Sequence, residues 1–273
     1  MAIRRNIKRN LATLIATGAV NPKRNGWTAH DIPTLGWWAA RDETSITVGS
    51  GGVSSLADQK SGYPPLTQPT TVARPQTGTH TLNGLNMMYY AGGDALATYG
   101  DTFQVPSSGN LSVFHLAEVF LPLGNVAEGM FAMSCAGECT DWQFVGGVSV
   151  ANFNGRIVAN ELGGTDTNFT PAMGIGPALY NVVFDFDSST ITAYLSGTAR
   201  NETVAYTVKI SDPQTFIIMS NRVGQTLAGH VGETLIIEDT SEATRQKVEG
   251  SILWEWGLQG QLPANHPYKN ARP

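Results

Sequence analysis

The stretch Glu233-Thr-Leu-Ile-Ile-Glu-Asp-Thr-Ser-Glu-Ala-Thr-Arg-Gln-Lys-Val-Glu-Gly-Ser-Ile-Leu-Trp-Glu-Trp-Gly257 changes its hydrophobic period midway, and that change decides the architecture. Up to Glu238 it is aliphatic and β-branched and reads as a strand. After Thr240-Ser241, either of which can cap orphan N–H groups, Glu242 places an acid in the first turn of a helix. Val248, Ile252 and Trp256 then recur every four residues with Leu253 beside them, and Gly257 stops the run. A helix with one apolar stripe needs a surface to cover, so this closing helix, about 241–257, is expected to pack on a sheet. Trp254 lies almost opposite Ile252 on the helical wheel and is expected to meet either the C-terminal tail or a neighbouring chain.

Upstream of this stretch the chain breaks into short β-rich runs. They are Ser45 to Val48, Asn86 to Tyr90, Leu111 to Leu121, Met130 to Ser134, Trp142 to Val150, Arg156 to Asn160, Tyr180 to Asp185, Thr190 to Leu195, Val204 to Lys209 and Phe216 to Met219. Turn residues flank them, and Asn152-Phe153-Asn154-Gly155 is expected to form a hairpin turn. The composition agrees: 30 Gly and 14 Pro with only 14% charged residues suit strands joined by tight turns rather than helix bundles. Many strands in 273 residues imply one sandwich or barrel. The net charge of −5 disfavours a nucleic-acid binder, and no apolar run of about eighteen residues reads as a membrane span.

Charge is unevenly spread. No acidic residue precedes Asp31, whereas Arg4, Arg5, Lys8, Arg9, Lys23 and Arg24 do. Within this basic arm, Ile3, Ile7, Leu11, Leu14 and Ile15 follow helical spacing beside Arg4, Arg5, Lys8 and Arg9. An amphipathic helix over 3–17 that docks on a partner protein is expected. A secretory signal and a lipid-surface helix compete with that reading, but Thr13, Thr17 and Gly18 break the apolar core and no A-x-A site follows.

The closing segment, followed by Leu262-Pro-Ala-Asn-His-Pro-Tyr-Lys-Asn-Ala271, resembles the end of laminin-G-like, concanavalin A-like jelly-roll domains. Leu35-Gly-Trp-Trp-Ala-Ala-Arg-Asp42, Gly51-Gly-Val-Ser-Ser-Leu-Ala-Asp58, Leu66-Thr-Gln68, Ala73-Arg-Pro75 and Leu82-Asn-Gly-Leu85 are similar to the family's opening in the same order. The resemblance implies an all-β jelly-roll sandwich over residues 35–273, preceded by the arm over 1–34. Such domains occur in bacterial surface proteins and bacteriophage virion proteins. Where many relatives have F-D-G-x-D-D, this chain has Tyr90-Ala-Gly-Gly-Asp-Ala95, which puts the family's calcium site in doubt, because calcium wants several carboxylates. Thr244 stands where relatives place the Glu of a capping box.

The E-x-D-x-x-E run of glucanases with this fold is absent, and Asp185-Phe-Asp187 reads as a solvated hairpin end. There is no nucleophile elbow, phosphate loop or H-E-x-x-H motif. His30, His80, His115, His230 and His266 are scattered with none at metal-ligand spacing, and His115, inside an apolar run, reads as a core histidine. Cys135 and Cys139 read as reduced thiols or a small disulfide loop, short of the four ligands a structural zinc needs. The sequence therefore predicts no catalytic residues, no metal and no cofactor, that is, no enzyme.

What is left is binding and assembly. The expectation is a bacteriophage virion structural protein, at the head or the tail, anchored by Ile3, Arg4, Arg5, Ile7, Lys8, Arg9, Leu11, Leu14 and Ile15 and displaying a lectin-like jelly roll. Its expected partners are other virion proteins, further copies of itself and a host-surface glycan. Trp142, Asn152 and Asn154, beside Gly146-Gly147, are candidate glycan contacts, although Trp142 also reads as core. The alternative is a secreted or surface carbohydrate-binding module of a bacterium.

Overall fold

The computed structural model describes residues 31–60, 62–98, 109–120, 128–134, 144–149, 152–159, 167–169, 176–185, 187–188, 190–199, 204–205, 215–219, 227–238 and 241–273. Strands, numbered along the chain, form three antiparallel sheets. The largest runs β16 (Thr198–Ala199), β15 (Thr190–Leu195), β14 (Gly176–Asp185), β8 (Asn110–Val119), β19 (Ala228–Ile237), β6 (Leu85–Ala91), β5 (Gln76–Leu82). Onto it β1 (Gly36–Ala39) pairs with β19, and β17 (Val204–Ala205) pairs with β15. The second sheet runs β10 (Phe131–Ser134), β18 (Thr215–Ile218), β7 (Leu96–Ala97), β4 (Leu66–Thr67), β3 (Gly52–Leu56), β2 (Ile46–Gly49). A third comprises β13 (Thr167–Phe169), β12 (Asn152–Ala159), β11 (Phe144–Ser149) and β9 (Glu128–Gly129).

Alternation along β8 shows how the layers stack. Leu111, Val113, Ala117 and Val119 share a core with Val53, Leu56, Leu66, Leu96, Phe216 and Ile218 of the second sheet. Phe114 and Leu116, of opposite parity, pack instead with Val248, Ile252 and Leu253 of helix α1 (Glu242–Glu255) and with Trp256, its C-cap. The middle of the large sheet is thus buried on both faces, which is why the Leu235–Ile237 end of β19 and most of β8 carry apolar residues at adjacent positions. Adjacent residues Trp37 and Trp38 on β1 go to opposite layers for the same reason. The architecture is the expected all-β sandwich of the jelly-roll kind, with the closing helix as a third layer.

Local chemistry sets the joints. Asn83 and Gly84 both have positive φ, 51° and 82°, and close the two-residue β5–β6 hairpin opposite the Leu82–Leu85 pair. A bulge between Val231 and Glu233 interrupts the β19–β8 register at Gly232. There a Cβ would lie 2.8 Å from the Trp256 ring and 2.9 Å from Leu116, so a glycine lets the helix approach the sheet. The Ser241 hydroxyl accepts from Thr244 N–H at 3.3 Å and donates to the Thr244 hydroxyl at 3.0 Å, so Thr244 keeps a cap contact without a Glu. Past the helix, Gly257 takes φ 69° and Leu258 N–H returns to Leu253 C=O at 2.7 Å. Trp254 meets the tail: its indole N–H donates to Tyr268 C=O at 2.8 Å.

Two expectations need correction. Asn152 to Gly155 is not the hairpin turn but lies within β12, where Ser149 pairs with Asn152 and Val148 with Gly155 across a register shift. The positive-φ tolerance of Asn-Gly fits a bulge as readily as a turn, and periodicity could not separate the two. Strands β1, β3, β4, β5, β7, β9, β13 and β16 lie outside the β-rich runs of the sequence, since segments of two to five residues and the polar QTGTHTL of β5 carry little apolar alternation. No helix among the described residues is long and apolar enough to cross a membrane.

Candidate functional site

On the outer face of the large sheet, the contacts that seat α1 leave two polar features beside it. The first contact is centred on Glu233 of β19, which is 2% exposed. It accepts from the indole N–H of Trp37 at 2.6 Å and of Trp256 at 2.8 Å, and from Arg41 Nε at 3.2 Å. Arg41 also pairs with Glu255 at 3.5 Å. A buried carboxylate is tolerated only when its lone pairs are filled, and here Trp37 of β1, Arg41 just after it and Trp256 at the end of the helix fill them together.

A second buried carboxylate, Glu249, binds Arg245 Nη1 at 2.7 and 2.8 Å and lies 3.3 Å from His266 Nε2, tying the tail to the helix. The Arg245 guanidinium stands 3.9 Å over the Tyr194 ring of β15. This stack forms one wall of a cleft of about 580 Å³ between α1, the tail and the β15–β16 edge, lined also by Thr192, Thr198, Gln246 and Asn265. Hydroxyls, amides and an aromatic ring thus converge in one concavity.

The second feature lies on the same face. Glu118 of β8 and His230 of β19 are register partners, and Glu118 Oε2 is 2.9 Å from His230 Nδ1. From β5, two strands beyond, His80 places its Nε2 3.3 Å from the same oxygen and stacks its ring on His230 at 3.7 Å and 10°. The β5–β6 register shifts between Gln76 and His80, where Gly78 has φ 73°, and this brings the His80 ring over its neighbour. Phe120 meets the His230 ring edge-on at 4.9 Å, and Tyr89 lies tilted at 5.4 Å. Burial, with help from neighbouring His80, holds His230 below its ordinary pKa against the opposing pull of Glu118. One ligand atom from each of the three residues lies within 4.8 Å of the others.

No histidine has a second one at metal-ligand spacing in the sequence, yet His80 and His230 stand side by side in the fold. Sequence spacing detects ligands on one element, whereas these three are brought together by strand pairing. His115, in contrast, is the core residue expected: it is fully buried, its Nδ1 lies 2.9 Å from the Thr234 hydroxyl, and burial lowers its pKa to about 3. Asp185 and Asp187 form a hairpin end as read. Asp185 accepts from Ser188 and Asp187 N–H groups, which hold its carboxyl below the usual range. Asp94 closes its own turn by accepting Ala91 N–H at 2.8 Å.

The anchor residues Ile3 to Ile15, the two cysteines and Trp142 lie outside the described residues, as do the side chains of Asn152 and Asn154, whose backbones belong to β12. Sequence reading missed the cleft. Its one available signal was Arg245 and Glu249, two charged residues in line with the apolar stripe of α1.

No family model matches the chain. No curated protein matches its sequence. Among solved structures, Trypanosoma rangeli sialidase in complex with the inhibitor DANA is similar at TM-score 0.55 and 10% identity, over 80% of this chain and 32% of that one. Looser matches are the Ruminococcus gnavus IT-sialidase CBM40 bound to α2,3 sialyllactose, at TM-score 0.46, 10% identity, 58% of this chain and 92% of that, and a carbohydrate esterase of the Shiga toxin-encoding bacteriophage phi24B, at TM-score 0.48, 10% identity, 75% and 98%. The chain spans about a third of the sialidase's length, and at such identity the likeness speaks for the fold alone. It overturns one expectation: proteins sharing this fold include an enzyme, so the reading of the chain as no enzyme does not stand. The missing E-x-D-x-x-E run excludes only one placement of carboxylates on one strand. The chain is an all-β sandwich, similar in fold to part of a sialidase.

Proposed function

We propose that this chain is a bacteriophage virion protein of the laminin-G-like, concanavalin A-like kind that displays a glycan-binding jelly roll. The observation that carries the glycan reading is the cleft at the β15–β16 edge, where the Tyr194 ring, the Thr192 and Thr198 hydroxyls and the Gln246 and Asn265 amides converge. Sugars offer hydroxyls to amides and carry apolar faces that pack on aromatic rings. Trp142, Asn152 and Asn154 are proposed as a further contact. The particle reading rests on the resemblance of the closing and opening segments to virion jelly rolls and on the basic amphipathic arm, whose anchor residues Ile3 to Ile15 would dock on other virion proteins.

The test is a glycan array probed with the full-length chain, with sialylated and neutral glycans side by side, because a solved neighbour is a sialidase in complex with sialic acid. Saturable binding to one glycan class that Asn265→Ala weakens about tenfold or more is expected; uniform background with every glycan would overturn the reading. Mass spectrometry of purified particles decides the virion part.

A further inference from the structure

We infer that His80, Glu118 and His230 form a binding site for a transition-metal dication of the zinc class, with the remaining coordination position open to solvent or to a ligand. The three side chains supply two imidazole nitrogens and one carboxylate oxygen, the donor set of three-ligand zinc sites that keep an open position. Ligands at about 2.0–2.1 Å in a tetrahedron stand about 3.3 Å apart. The Glu118 oxygen already lies 2.9 Å from one nitrogen and 3.3 Å from the other, and an ion enters once the His80 ring turns out of its stack on His230, so that both imidazole lone pairs point at one position.

The surroundings suit this role. His230 and Glu118 are mounted on the two directly paired central strands and cannot drift apart without breaking the sheet. Phe120 and Tyr89 hold the His230 ring from two sides and provide an apolar collar. The His80 side chain is 36% exposed, which leaves an entry path from solvent. Imidazole nitrogen favours zinc, cobalt, nickel or copper over calcium and magnesium, which prefer all-oxygen shells. Without a metal the same groups would form a histidine–carboxylate–histidine hydrogen-bond array, so the two states are distinguished by metal affinity and not by fold. The site is independent of the cleft and of the glycan reading.

The experiment uses the full-length chain carrying Cys135→Ser and Cys139→Ser, since thiolates bind zinc themselves. After dialysis against chelator it is titrated with Zn2+ by calorimetry, with Co2+ by visible absorption, and with Ca2+ as the control ion. One saturable Zn2+ site is expected, with a tetrahedral cobalt spectrum, a melting temperature raised by zinc, and no calcium binding. His80→Gln, Glu118→Gln and His230→Gln should each weaken zinc binding about 100-fold or more, while Glu242→Gln leaves it unchanged. His80→Gln lies towards the sheet edge and is the variant whose metal-free melting temperature should match the parent. Absence of saturable binding, or zinc affinity unchanged in His80→Gln, would overturn the proposal.

Discussion

Trp256 of the closing helix donates its indole N–H to Glu233 of the bulged strand at 2.8 Å, with both residues withdrawn from solvent. One bond therefore joins the helix stripe to a buried charge. Trp256→Ala should cost about 3–5 kcal/mol for the cavity, and Trp256→Phe about 1–3 kcal/mol, since it keeps most of the apolar bulk but leaves the Glu233 carboxylate short of a donor. Urea unfolding midpoints at constant slope check both; a Phe variant as unstable as the Ala variant would mean that the indole N–H, not the volume, holds the helix.

Asn83 has two roles: it adopts φ 51° in the β5–β6 turn and donates through Nδ2 to the Trp256 carbonyl at 2.6 Å. Asn83→Ala should lose about 1–3 kcal/mol, from a left-handed conformation that Ala resists and from an uncapped carbonyl. Asn83→Gly restores the conformational freedom and should recover about half. Equal losses in the two variants would place the whole effect in the cap.

The buried His115 predicts an acid-labile fold. Its native pKa, about 3, lies below the ordinary value of 6.5, so the unfolded chain binds the proton that the native chain refuses. The stability associated with the neutral imidazole is complete above about pH 6.5 and falls as pH drops towards 3, at up to about 1.4 kcal/mol per pH unit from this group. His115→Leu should flatten the slope of unfolding free energy between pH 6 and 4. An unchanged slope would assign the acid lability to other groups.

The proposed anchor is tested by deleting residues 2–24. The remaining chain should stay folded, because the jelly-roll resemblance begins only at Leu35, but should not be incorporated into particles. Exposed ion pairs contribute about 0–1 kcal/mol each, so Leu11→Asp should reduce copies per particle more than Arg9→Ala does, as counted by quantitative mass spectrometry. Wild-type occupancy of the truncated chain would move the anchor elsewhere.

Arg245 is buried between the Tyr194 ring and the Glu249 carboxylate. Arg245→Ala should destabilise the fold by about 3–5 kcal/mol, because it strands a charge with only His266 for company, whereas Arg245→Ala with Glu249→Leu should recover much of the loss. Thermal melting of the single and double variants checks the coupling.

What could be read without coordinates is local. The cap at Ser241, the stripe Val248–Ile252–Trp256 and the stop at Gly257 each depend on residues within a few positions, and each stands where the sequence placed it. His115 was legible as core because an apolar run leaves a histidine no solvent. The turn at Asn152 to Gly155 was misplaced because positive-φ tolerance is shared by turns and bulges.

Strand order was not legible, and everything chemical in the molecule follows from it. Trp37 and Glu233 are 196 residues apart, and His230 and Glu118 are 112 apart. Such pairs meet only because β1 and β8 both pair with β19, a choice made by the summed burial of two apolar layers and by no single residue. That this chain forms strands, tight turns and one amphipathic closing helix follows from residue order, since periods, caps and turn conformations are short-range. Tertiary structure alone decided which strands are neighbours, and so which histidines face a carboxylate and where a polar cleft opens beside the helix, because those contacts exist only once distant segments have been brought into register.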